Sequence, residues 1–572
     1  MVIHDLNSPW SEVPGQGWHY PPLAMTTFPK TFLAAIVKQL LRGKSLIQAL
    51  LAFWINPHSS SGKQTRPVVE CPKSATTTSS RDVEEFLKEA ENLLLGPLLG
   101  NGLLDLSNAL KAQFRDKLQT SMACMLPSYN HQLPGGYEVG QYLAVDVGGS
   151  TLRVALVELR GRDAKGSESE IVRMSSCKID SNVRNLKGMA FFDWMAERIW
   201  EMVSQDEQDP SRPMPMALAW SFPIDQTSLK GGRIHGMGKG FLAAEGLMGK
   251  DLGEIIESAC TAKGMNAQLR VILNDGGATL LSQAYIHPAT RFGLILGTGV
   301  NIAAYLPVSL IGKPKFGDRP REWWDEARDV IVNTELGMFG QDVLSVTRWD
   351  RLLKQGHPRP DFQPLEQMVS GYYLGEVVRF ALIEAIQTTG LFGGVVPKSL
   401  DEPYSLKSET ISAVEGDASP LLTSSIDLFV SRHPSSHTPT SSDMSALRSL
   451  ASFVSRRSAA IIAACLHAVW SLRLEALGEE NPEDEASNRV AQESSLVRTM
   501  VAYNGSVIEC YPGYLAMCQH YVDALVSQKD RSIDLVPAKE SSLLGAGVAL
   551  ARACDTSECE LRRAECRNVR IA

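Results

Sequence analysis

The 572-residue sequence has none of the patterns that mark common metal, redox and dinucleotide sites. Its ten cysteines form no CxxC pair, there is no HExxH motif, and no histidine stands near the three cysteines of the tail, Cys554, Cys559 and Cys566. Thiols this dispersed are typical of buried small side chains in a reducing compartment. The sequence also has no GxxxxGK[ST] and no GxGxxG motif, which argues against the P-loop and Rossmann folds.

A strong charge of either sign is missing as well. The chain has 56 Lys and Arg residues against 64 Asp and Glu residues, a net charge of −8, so nucleic acid is not expected as a partner. Hydrophobic residues make up 44% of the chain and charged residues 21%. This balance lets most of the chain bury a core, and it excludes a wholly disordered or fibrous protein.

No long uncharged run marks a membrane span near the N-terminus, and we expect no secretory signal there. Residues 31–55 are mostly apolar but include Lys38, Arg42 and Lys44, and the longest uncharged stretch, residues 45–57, is shorter than the ~20 residues that a span needs. One interpretation is an amphipathic helix on an organelle surface, such as that of the mitochondrion, in an otherwise cytoplasmic protein. The alternatives are a segment that packs elsewhere or stays partly disordered, and a gene-model artefact.

Beyond a Ser-, Thr- and Pro-rich linker at residues 57–81, apolar runs of strand length alternate with helical periodicity. This alternation predicts an α/β protein. The predicted strands are residues 141–146, 152–159, 215–222, 271–274, 292–296 and 301–306. The predicted helices are residues 83–94, 106–124, 191–203, 374–388 and 444–472, and residues 431–442 and 479–486 are predicted loops.

Two glycine turns share one design: an apolar strand, a Gly-rich turn and a returning apolar strand. They are DVGGST, residues 146–151, and LGTGVN, residues 296–301. Successive N–H groups in such a turn can form an anion site, and the neighbouring hydroxyls add further donors. Asp146 would suit a phosphate only with a metal ion between them, which indicates Mg²⁺. For each turn the alternative is an ordinary tight hairpin.

A lone carboxylate follows an amide at the end of another apolar strand, in the sequence Asn274-Asp275-Gly276-Gly277. Polar groups at the carboxyl end of a strand project into a crevice, where Asp275 could take a proton from a substrate hydroxyl. A positioned base, phosphate donors and a metal are the parts that phosphoryl transfer needs. The alternative is a simple Asn-Asp-Gly-Gly turn.

From about residue 82 to about residue 551, these pieces resemble the hexokinase family in order and in kind. The resemblance rests on the blocks MLPSY, DVGGSTLRV, WSFPIDQTSLKGGRIHGMGKGF, LNDGGATL, GLILGTGVN, VNTELGMFG, LEQMVSGYYLGE, YNGSVIECYPGY and LLGAGVAL. It implies an actin-like (ribonuclease H-like) fold of two α/β lobes that close over ATP, Mg²⁺ and a sugar. It divides the chain into an extension and linker (1–81), a part with the phosphate turn and sugar site (82–305), a part with the adenosine side (306–556) and a tail (557–572).

The resemblance also implies the site residues. Asp275 matches the catalytic base that deprotonates the sugar 6-hydroxyl, and Asp146 would assist Mg²⁺ indirectly. Positions that match sugar contacts are Ser221, Phe222, Lys239, Asn274, Asn301, Glu335 and Glu366. Positions that match nucleotide contacts are Asp146, Gly148, Gly149, Ser150, Thr151, Arg153, Gly297, Thr298, Gly299, Gly505, Ser506, Ser542 and Gly545.

Several positions depart from the family pattern, and they leave the activity open. Gly238, Gly276 and Gly277 replace threonines, Leu336 replaces a tryptophan, and Leu543 replaces a glycine where a bulkier side chain could crowd the nucleotide. On one interpretation the lost threonines open volume for a bulkier sugar, and the blocks GGST and GMGKGF look like those of fungal N-acetylglucosamine kinases. The alternatives are a regulatory, sugar-sensing protein with little catalysis and an actin-like or chaperone-like ATPase.

Overall fold

The computed structural model describes residues 81–204, 213–237, 240–479, 498–526 and 531–554. All of them belong to one compact unit, Lys63–Ala572. The predicted extension and linker lie outside the described residues, except for Arg81, and so does the whole predicted tail, 557–572. The organelle-surface contact predicted for residues 31–55 stays a prediction.

The described residues contain thirteen strands, most of which end at a glycine or polar turn. They are β1 (Leu126–Pro127), β2 (Val139–Val147), β3 (Thr151–Arg160), β4 (Ser169–Lys178), β5 (Met214–Trp220), β6 (Ile224–Gln226), β7 (Gly232–Ile234), β8 (Ala267–Leu273), β9 (Thr290–Leu296), β10 (Val300–Pro307), β11 (Asp329–Asn333), β12 (Arg498–Asn504) and β13 (Ser532–Pro537).

The helices are apolar on the faces that pack on these strands and on one another. They are α1 (Val83–Leu95), α2 (Gly102–Thr120), α3 (Ser181–Arg184), α4 (Met189–Val203), α5 (Leu252–Ala262), α6 (Asp275–Ile286), α7 (Arg321–Glu326), α8 (Arg348–Gly356), α9 (Glu366–Val369), α10 (Gly371–Thr389), α11 (Ser408–Glu415), α12 (Thr423–Arg432), α13 (Ser441–Glu479), α14 (Ser506–Cys510), α15 (Tyr514–Leu525) and α16 (Ser541–Cys554).

Two sheets repeat one arrangement. In the first, of order β4-β3-β2-β5-β8, strand β2 pairs antiparallel with β3 and parallel with β5, and β5 pairs parallel with β8. In the second, of order β1-β11-β10-β9-β12-β13, strand β9 pairs antiparallel with β10 and parallel with β12, and β12 pairs parallel with β13. Each sheet is therefore a hairpin continued by parallel strands, which confirms the predicted unit used twice.

Helix α6 joins the two sheets and brings them close together. It begins directly after β8 of the first sheet and packs on β9 of the second. The contact is backbone to backbone, since a Cβ on Gly293 would lie 2.4 Å from the Gly276 carbonyl oxygen. The first turn of α6 therefore stands at the junction of the sheets. The predicted segment boundary at residue 305 falls within β10.

The long helix α13 forms the centre of the larger core cluster, around the second sheet. Its length and apolar composition would suit a membrane span, but 83% of its most apolar window is buried inside the protein. Two of its arginines are buried too, and each has a buried carboxylate partner: Arg457 pairs with Asp350 at 2.7 Å and Arg473 with Asp329 at 2.9 Å. These contacts are those of a core helix in a globular fold.

Candidate active site

The carboxyl ends of three parallel strands in the first sheet meet at one edge. Strand β2 ends beside Gly148, β5 ends before Ser221, and β8 ends before Asn274. The Ser221 N–H donates to the Val147 carbonyl at 3.2 Å, which ties the end of β5 to the end of β2. Ligands of open α/β sheets bind at such an edge.

Asn274 and Asp275 form the start of α6. The Asn274 carbonyl Oδ1 accepts from the Gly277 N–H at 2.8 Å and caps the helix, and Asp275 Oδ1 accepts from the Gly276 N–H at 2.8 Å. The other end of the Asn274 amide, Nδ2, is buried and has no acceptor among the described residues. A buried donor of this kind normally has a partner, so Nδ2 is suited to a ligand oxygen.

Three carboxylates lie close enough to influence one another. Burial raises the pKa of Asp146 although Arg153 opposes the shift, and the nearby charges of Asp275 and Glu540 raise it further. Burial also raises the pKa of Glu335, the hydrogen bond from Asn333 lowers it, and Asp275 raises it again. Asp275 therefore stands within electrostatic reach of both Asp146 and Glu335, which brings together the predicted base, metal-assisting and sugar-binding positions.

A chain of side-chain amides positions Glu335 after β11. Asn301 Nδ2 donates to Asn333 Oδ1 at 2.7 Å, and Asn333 Nδ2 donates to Glu335 Oε1 at 2.7 Å. Asn301 Oδ1 also accepts from the main-chain N–H groups of Ile302 and Leu336. Asn301 is thus used mainly to orient Glu335, whose backbone is strained in the left-handed region at φ 51°.

Glu366 is held against the second glycine turn. It is the first residue of α9, and its Oε2 accepts from the Val300 N–H at 3.1 Å. A Cβ on Gly299 would lie 2.9 Å from that oxygen, so the bare glycine backbone makes the approach possible. This contact brings a predicted sugar carboxylate beside a predicted phosphate turn.

The second turn also meets the end of β12. Gly505 has a φ of 130°, and a Cβ there would lie 2.4 Å from the Leu296 carbonyl oxygen. A Cβ on Gly297 would lie 3.3 Å from the Ser506 N–H nitrogen. Thr298 and Ser506 are exposed beside this close contact, and Ser542 is half-buried at the start of α16. The turn and the end of β12 thus form one edge, where the residues predicted to contact the nucleotide lie together.

The first glycine turn is a tight hairpin between β2 and β3, closed by a bond from the Gly148 N–H to the Thr151 carbonyl at 3.0 Å. Arg153, two residues on, is already engaged by protein groups. Its Nε and Nη2 donate to Asp146 Oδ2 at 2.9 and 2.6 Å, and its Nη1 donates to Glu540 Oε2 at 2.7 Å. A phosphate contact from Arg153 would therefore have to replace or join the Glu540 contact.

Some predicted site residues have packing roles. The Phe222 ring is buried between Trp220 and Phe241, each 5.0 Å away, so a sugar contact from this residue would use its main chain. Gly545 faces α6, where a Cβ would lie 2.0 Å from the Ala278 carbonyl oxygen. Leu543 is completely buried in an apolar cluster and does not line open space. Lys239 and Gly238 lie outside the described residues.

The expectation that glycines after the base open the sugar pocket is wrong. Gly276 and Gly277 are both buried. A Cβ on Gly276 would meet the Ala303 Cβ at 3.3 Å, and a Cβ on Gly277 would meet the capping Asn274 Oδ1 at 2.8 Å. The space released by the missing side chains is taken by β10 and by the helix cap. Any added room for a bulkier sugar must come from elsewhere.

Three residues that shape the site are not among those predicted from the sequence: Asn333, Glu540 and Arg184. Asn333 precedes Glu335 by two residues at a strand end, and this spacing could have suggested its role. Glu540 is distant from Arg153 in sequence, and its φ of 48° is visible only in the structure. Arg184 donates from Nη2 to the Gly149 carbonyl at 2.9 Å across a loop, with no local pattern to reveal it.

The described residues contain no group of three or more His, Cys, Asp or Glu side chains that could hold a metal by themselves. Both bonds from Arg153 go to Oδ2 of Asp146, and Oδ1 has no hydrogen-bond donor among the described residues. Mg²⁺ usually keeps several waters and takes one or two carboxylates plus substrate phosphates. One buried carboxylate oxygen beside a predicted phosphate turn fits indirect binding of that kind.

Two family profiles, both described as hexokinase, match residues 100–285 and 291–552. The chain belongs to the hexokinase family. The family comprises ATP-dependent kinases of hexoses.

Two curated relatives of this hexokinase-family chain come from the yeast Candida albicans. Hexokinase-2 is 29% identical over 435 residues, which cover 75% of this chain and 83% of the relative. N-acetylglucosamine kinase 1 is 27% identical over 509 residues, which cover 85% of this chain and 96% of the relative. Among solved structures, the Schistosoma mansoni hexokinase complexed with glucose has a TM-score of 0.65 at 24% identity, and the match covers 82% of this chain and 100% of the other. This likeness shows the actin-like ATPase fold and confirms the predicted fold class.

Proposed function

We propose that this hexokinase-family protein transfers the γ-phosphoryl group of ATP to the 6-hydroxyl of a hexose or N-acetylhexosamine, with N-acetylglucosamine preferred. The observation that carries the proposal is the start of α6. There, Asp275 stands in the electrostatic reach of Asp146 and Glu335, beside a buried Asn274 Nδ2 that has no acceptor among the described residues. A sugar hydroxyl would supply that acceptor.

Glu335 and Glu366 would hold the sugar by accepting from its hydroxyls, and Asn274 Nδ2 would donate to one of its oxygens. Asp275 would accept the proton of the attacking 6-hydroxyl as its oxygen forms a bond to the γ-phosphorus. The bond from that phosphorus to the β–γ bridging oxygen breaks, and ADP leaves. The positive end of α6 and the N–H groups of the two turns would stabilise the charge on the phosphoryl oxygens.

ATP and Mg²⁺ are the co-substrate and cofactor of the proposed reaction. When bound, Mg²⁺ would neutralise charge on the β- and γ-phosphates. Asp146 would hold a water of its hydration shell through Oδ1. Arg153 would keep Asp146 oriented, since two of its nitrogens donate to Oδ2.

Two observations support the preference for N-acetylglucosamine, and neither depends on Gly276 or Gly277. Gly238 stands where the family commonly has a sugar-contacting threonine, so the hydroxyl of that threonine is missing here. The relative named N-acetylglucosamine kinase 1 aligns over 96% of its own length. A lost hydrogen bond costs about 0.5–1.5 kcal/mol, which weakens glucose binding without abolishing chemistry.

The test is ADP release from MgATP by the purified full chain with N-acetylglucosamine, glucose, mannose and fructose. We expect kcat/KM to be highest for N-acetylglucosamine. A Gly238→Thr variant should shift the ratio toward glucose, and Gly478→Ala, on an exposed part of α13 with open space around the added Cβ, is its control. Equal or better turnover of glucose by the wild type contradicts the sugar preference.

The regulatory alternative has its own outcome in the same experiment. The protein would be a sugar sensor and not a kinase if two results were found together. A sugar would raise the melting temperature of the wild-type protein, and none of the four sugars would be phosphorylated with ATP. The Asp275 carboxylate, the paired Asn333 and Glu335, and Glu366 at the second turn all favour catalysis.

A further inference from the structure

The first glycine turn, Gly148–Thr151, has donors and acceptors on opposite sides. The Ser150 carbonyl accepts from the Ile179 N–H at 2.8 Å, and the Gly149 carbonyl accepts from Arg184 Nη2 at 2.9 Å. By contrast, the N–H groups of Gly149 and Ser150 have no acceptor among the residues that the structure describes. Both carbonyls are thus tied to the segment 179–184, and two N–H groups are left for a ligand.

The geometry of the peptide bond explains why the Ser150 N–H is left without an acceptor when the Gly149 carbonyl is bonded to Arg184. A peptide unit is planar and trans, so its C=O and N–H point in opposite directions, and the described chain has no cis peptide bond. When Arg184 holds the Gly149 oxygen on its side, the Ser150 N–H must point to the other side. Without Arg184 this unit can rotate, because Gly149 has no side chain to restrict it. Rotation would turn a carbonyl oxygen toward the anion.

Arg184 is itself fixed by contacts that do not involve a carboxylate. Its main-chain oxygen accepts from the Leu242 N–H at 2.9 Å, and its guanidinium lies 5.8 Å from the Phe241 ring. It ends α3, which Asp180 caps through bonds to two N–H groups. Its Nε is buried and has no hydrogen-bond partner among the described residues, so the Gly149 carbonyl is the acceptor found for the guanidinium in that part of the chain.

We infer that Arg184 is a positioning residue that orients the Gly149–Ser150 peptide, so that the Ser150 N–H faces a phosphate group of the nucleotide. The inference rests on the proposed function only in taking this turn as a phosphate site. Arg184 acts through the peptide and is not a catalytic residue. Its loss should therefore weaken nucleotide binding and leave the sugar site intact.

The experiment compares wild type, Arg184→Met and Arg184→Lys in the full chain, with Lys187→Met as control. Methionine keeps the apolar stem over Phe241 and removes every donor, and Lys187 is an exposed cation three residues along the same segment. Affinity for the non-hydrolysable analogue AMP-PNP with Mg²⁺ is measured by calorimetry, and affinity for N-acetylglucosamine by thermal shift. Steady-state kinetics then separate KM for ATP from KM for sugar.

We expect Arg184→Met to weaken AMP-PNP binding about tenfold. Sugar affinity should stay within about twofold, Arg184→Lys should recover part of the loss, and Lys187→Met should match the wild type. AMP-PNP affinity within twofold of wild type in Arg184→Met, or an equal loss of sugar and nucleotide affinity, overturns the inference. Because AMP-PNP binding needs no turnover, an inactive wild type would end the kinase proposal without deciding this one.

A second measurement does not depend on whether the Arg184 variants fold. In protein labelled with ¹⁵N-serine, the Ser150 amide, identified by its absence from Ser150→Ala, should shift downfield and exchange more slowly when AMP-PNP and Mg²⁺ bind. A Ser150 amide that is unchanged at saturating AMP-PNP contradicts the proposed orientation.

Discussion

Some residues of the proposed site lower the stability of the folded protein while they serve its proposed function, and Glu335 is the clearest case. Its carboxyl is buried, its pKa is raised by burial and by Asp275, and its backbone is held at φ 51°. A sugar hydroxyl needs an ionised acceptor there, yet the ionised form is costly inside the protein. The bond from Asn333 lowers the pKa again and so supports the charged form.

Glu335→Gln should therefore stabilise the sugar-free protein while it reduces sugar affinity. A carboxyl whose pKa is higher in the folded state costs stability once it ionises, so the gain should be present at pH 7.5. It should disappear as the pH falls below the ordinary carboxyl pKa of 4.5, where the wild-type group is neutral in both states. Urea unfolding at pH 7.5 and pH 4 measures the difference.

The exposed Glu322→Gln serves as the matched control and should leave stability unchanged at both pH values. A Glu335→Gln protein that is clearly less stable than wild type at pH 7.5 would show that the carboxylate stabilises the site instead.

Glu540 gives a second prediction at the residue scale. It holds Arg153 through Nη1 and adds negative charge near Asp146, where phosphates would come. Glu540→Gln should raise nucleotide affinity by a few-fold, since it removes repulsion and frees a donor of Arg153. Calorimetry with AMP-PNP and Mg²⁺ checks this, and weaker binding than in the wild type would mean that Glu540 positions Arg153 productively.

At the scale of elements, the contact between α6 and α16 decides where Asp275 stands. Gly545 of α16 lies directly on the backbone of α6 at Ala278, and Thr279 and Ser541 share a buried hydrogen bond of 2.8 Å between the same helices. A shift of α16 would therefore move the helix that carries the base. It would also move Ser542, at the nucleotide edge.

Gly545→Ala should destabilise the protein and reduce kcat, because a Cβ cannot fit 2.0 Å from the Ala278 oxygen and the helices must separate. We expect a cost of about 1–3 kcal/mol in urea unfolding. Gly478→Ala, a helical glycine with open space around the added Cβ, is the control and should be neutral or stabilising by up to about 1 kcal/mol. Equal behaviour of the two variants would show that α6 does not depend on this contact.

The elements that the sequence predicted are those whose signal is local. The strands at residues 141–146, 152–159, 292–296 and 301–306 are confirmed in β2, β3, β9 and β10, and the predicted loop at 431–442 survives as the short break between α12 and α13. Seven strands were not predicted: β1, β4, β6, β7, β11, β12 and β13. Strand β4 alternates between half-buried and exposed positions and has many polar residues, and β11 is only five residues long.

Some features of the candidate site are likewise visible in the local sequence, and others depend on the folded chain. Motifs at strand ends point to Asp275, Asn274 and both glycine turns from the sequence alone, and the family resemblance adds Glu335. Other features of the site depend on which elements pack together. They are the hydrogen bond from Arg153 to Glu540, the contact of Glu366 with Gly299 and the burial of Gly276. Local periodicity carries no information about such contacts, so only the folded chain reveals them.

At the scale of the whole molecule, two buried histidines make the fold sensitive to acid. Burial lowers the pKa of His433 and of His467 from 6.5 to about 4. Between those pH values the unfolded chain binds protons that the folded chain does not, so stability should fall as the pH decreases. The slope is at most about 1.4 kcal/mol per pH unit for each histidine.

The prediction is tested on His467→Gln against the exposed His520→Gln by urea unfolding from pH 7 to pH 4. Stability of His467→Gln should fall less steeply than that of wild type, and that of His520→Gln should follow the wild type. Comparison between variants is needed because the raised pKa values of Asp146 and Glu335 act in the opposite direction. Identical slopes in all three proteins would contradict the assignment.

The central claim is that Asp275, at the start of the helix that joins the two sheets, activates a sugar hydroxyl for attack on ATP. The most direct measurement is MgATP-dependent ADP release with saturating N-acetylglucosamine by wild type and Asp275→Ala, together with the sugar affinity of each. We expect turnover to fall by about 10²–10⁴-fold while sugar affinity stays within about tenfold. An Asp275→Ala protein that keeps turnover within tenfold of wild type would contradict the account.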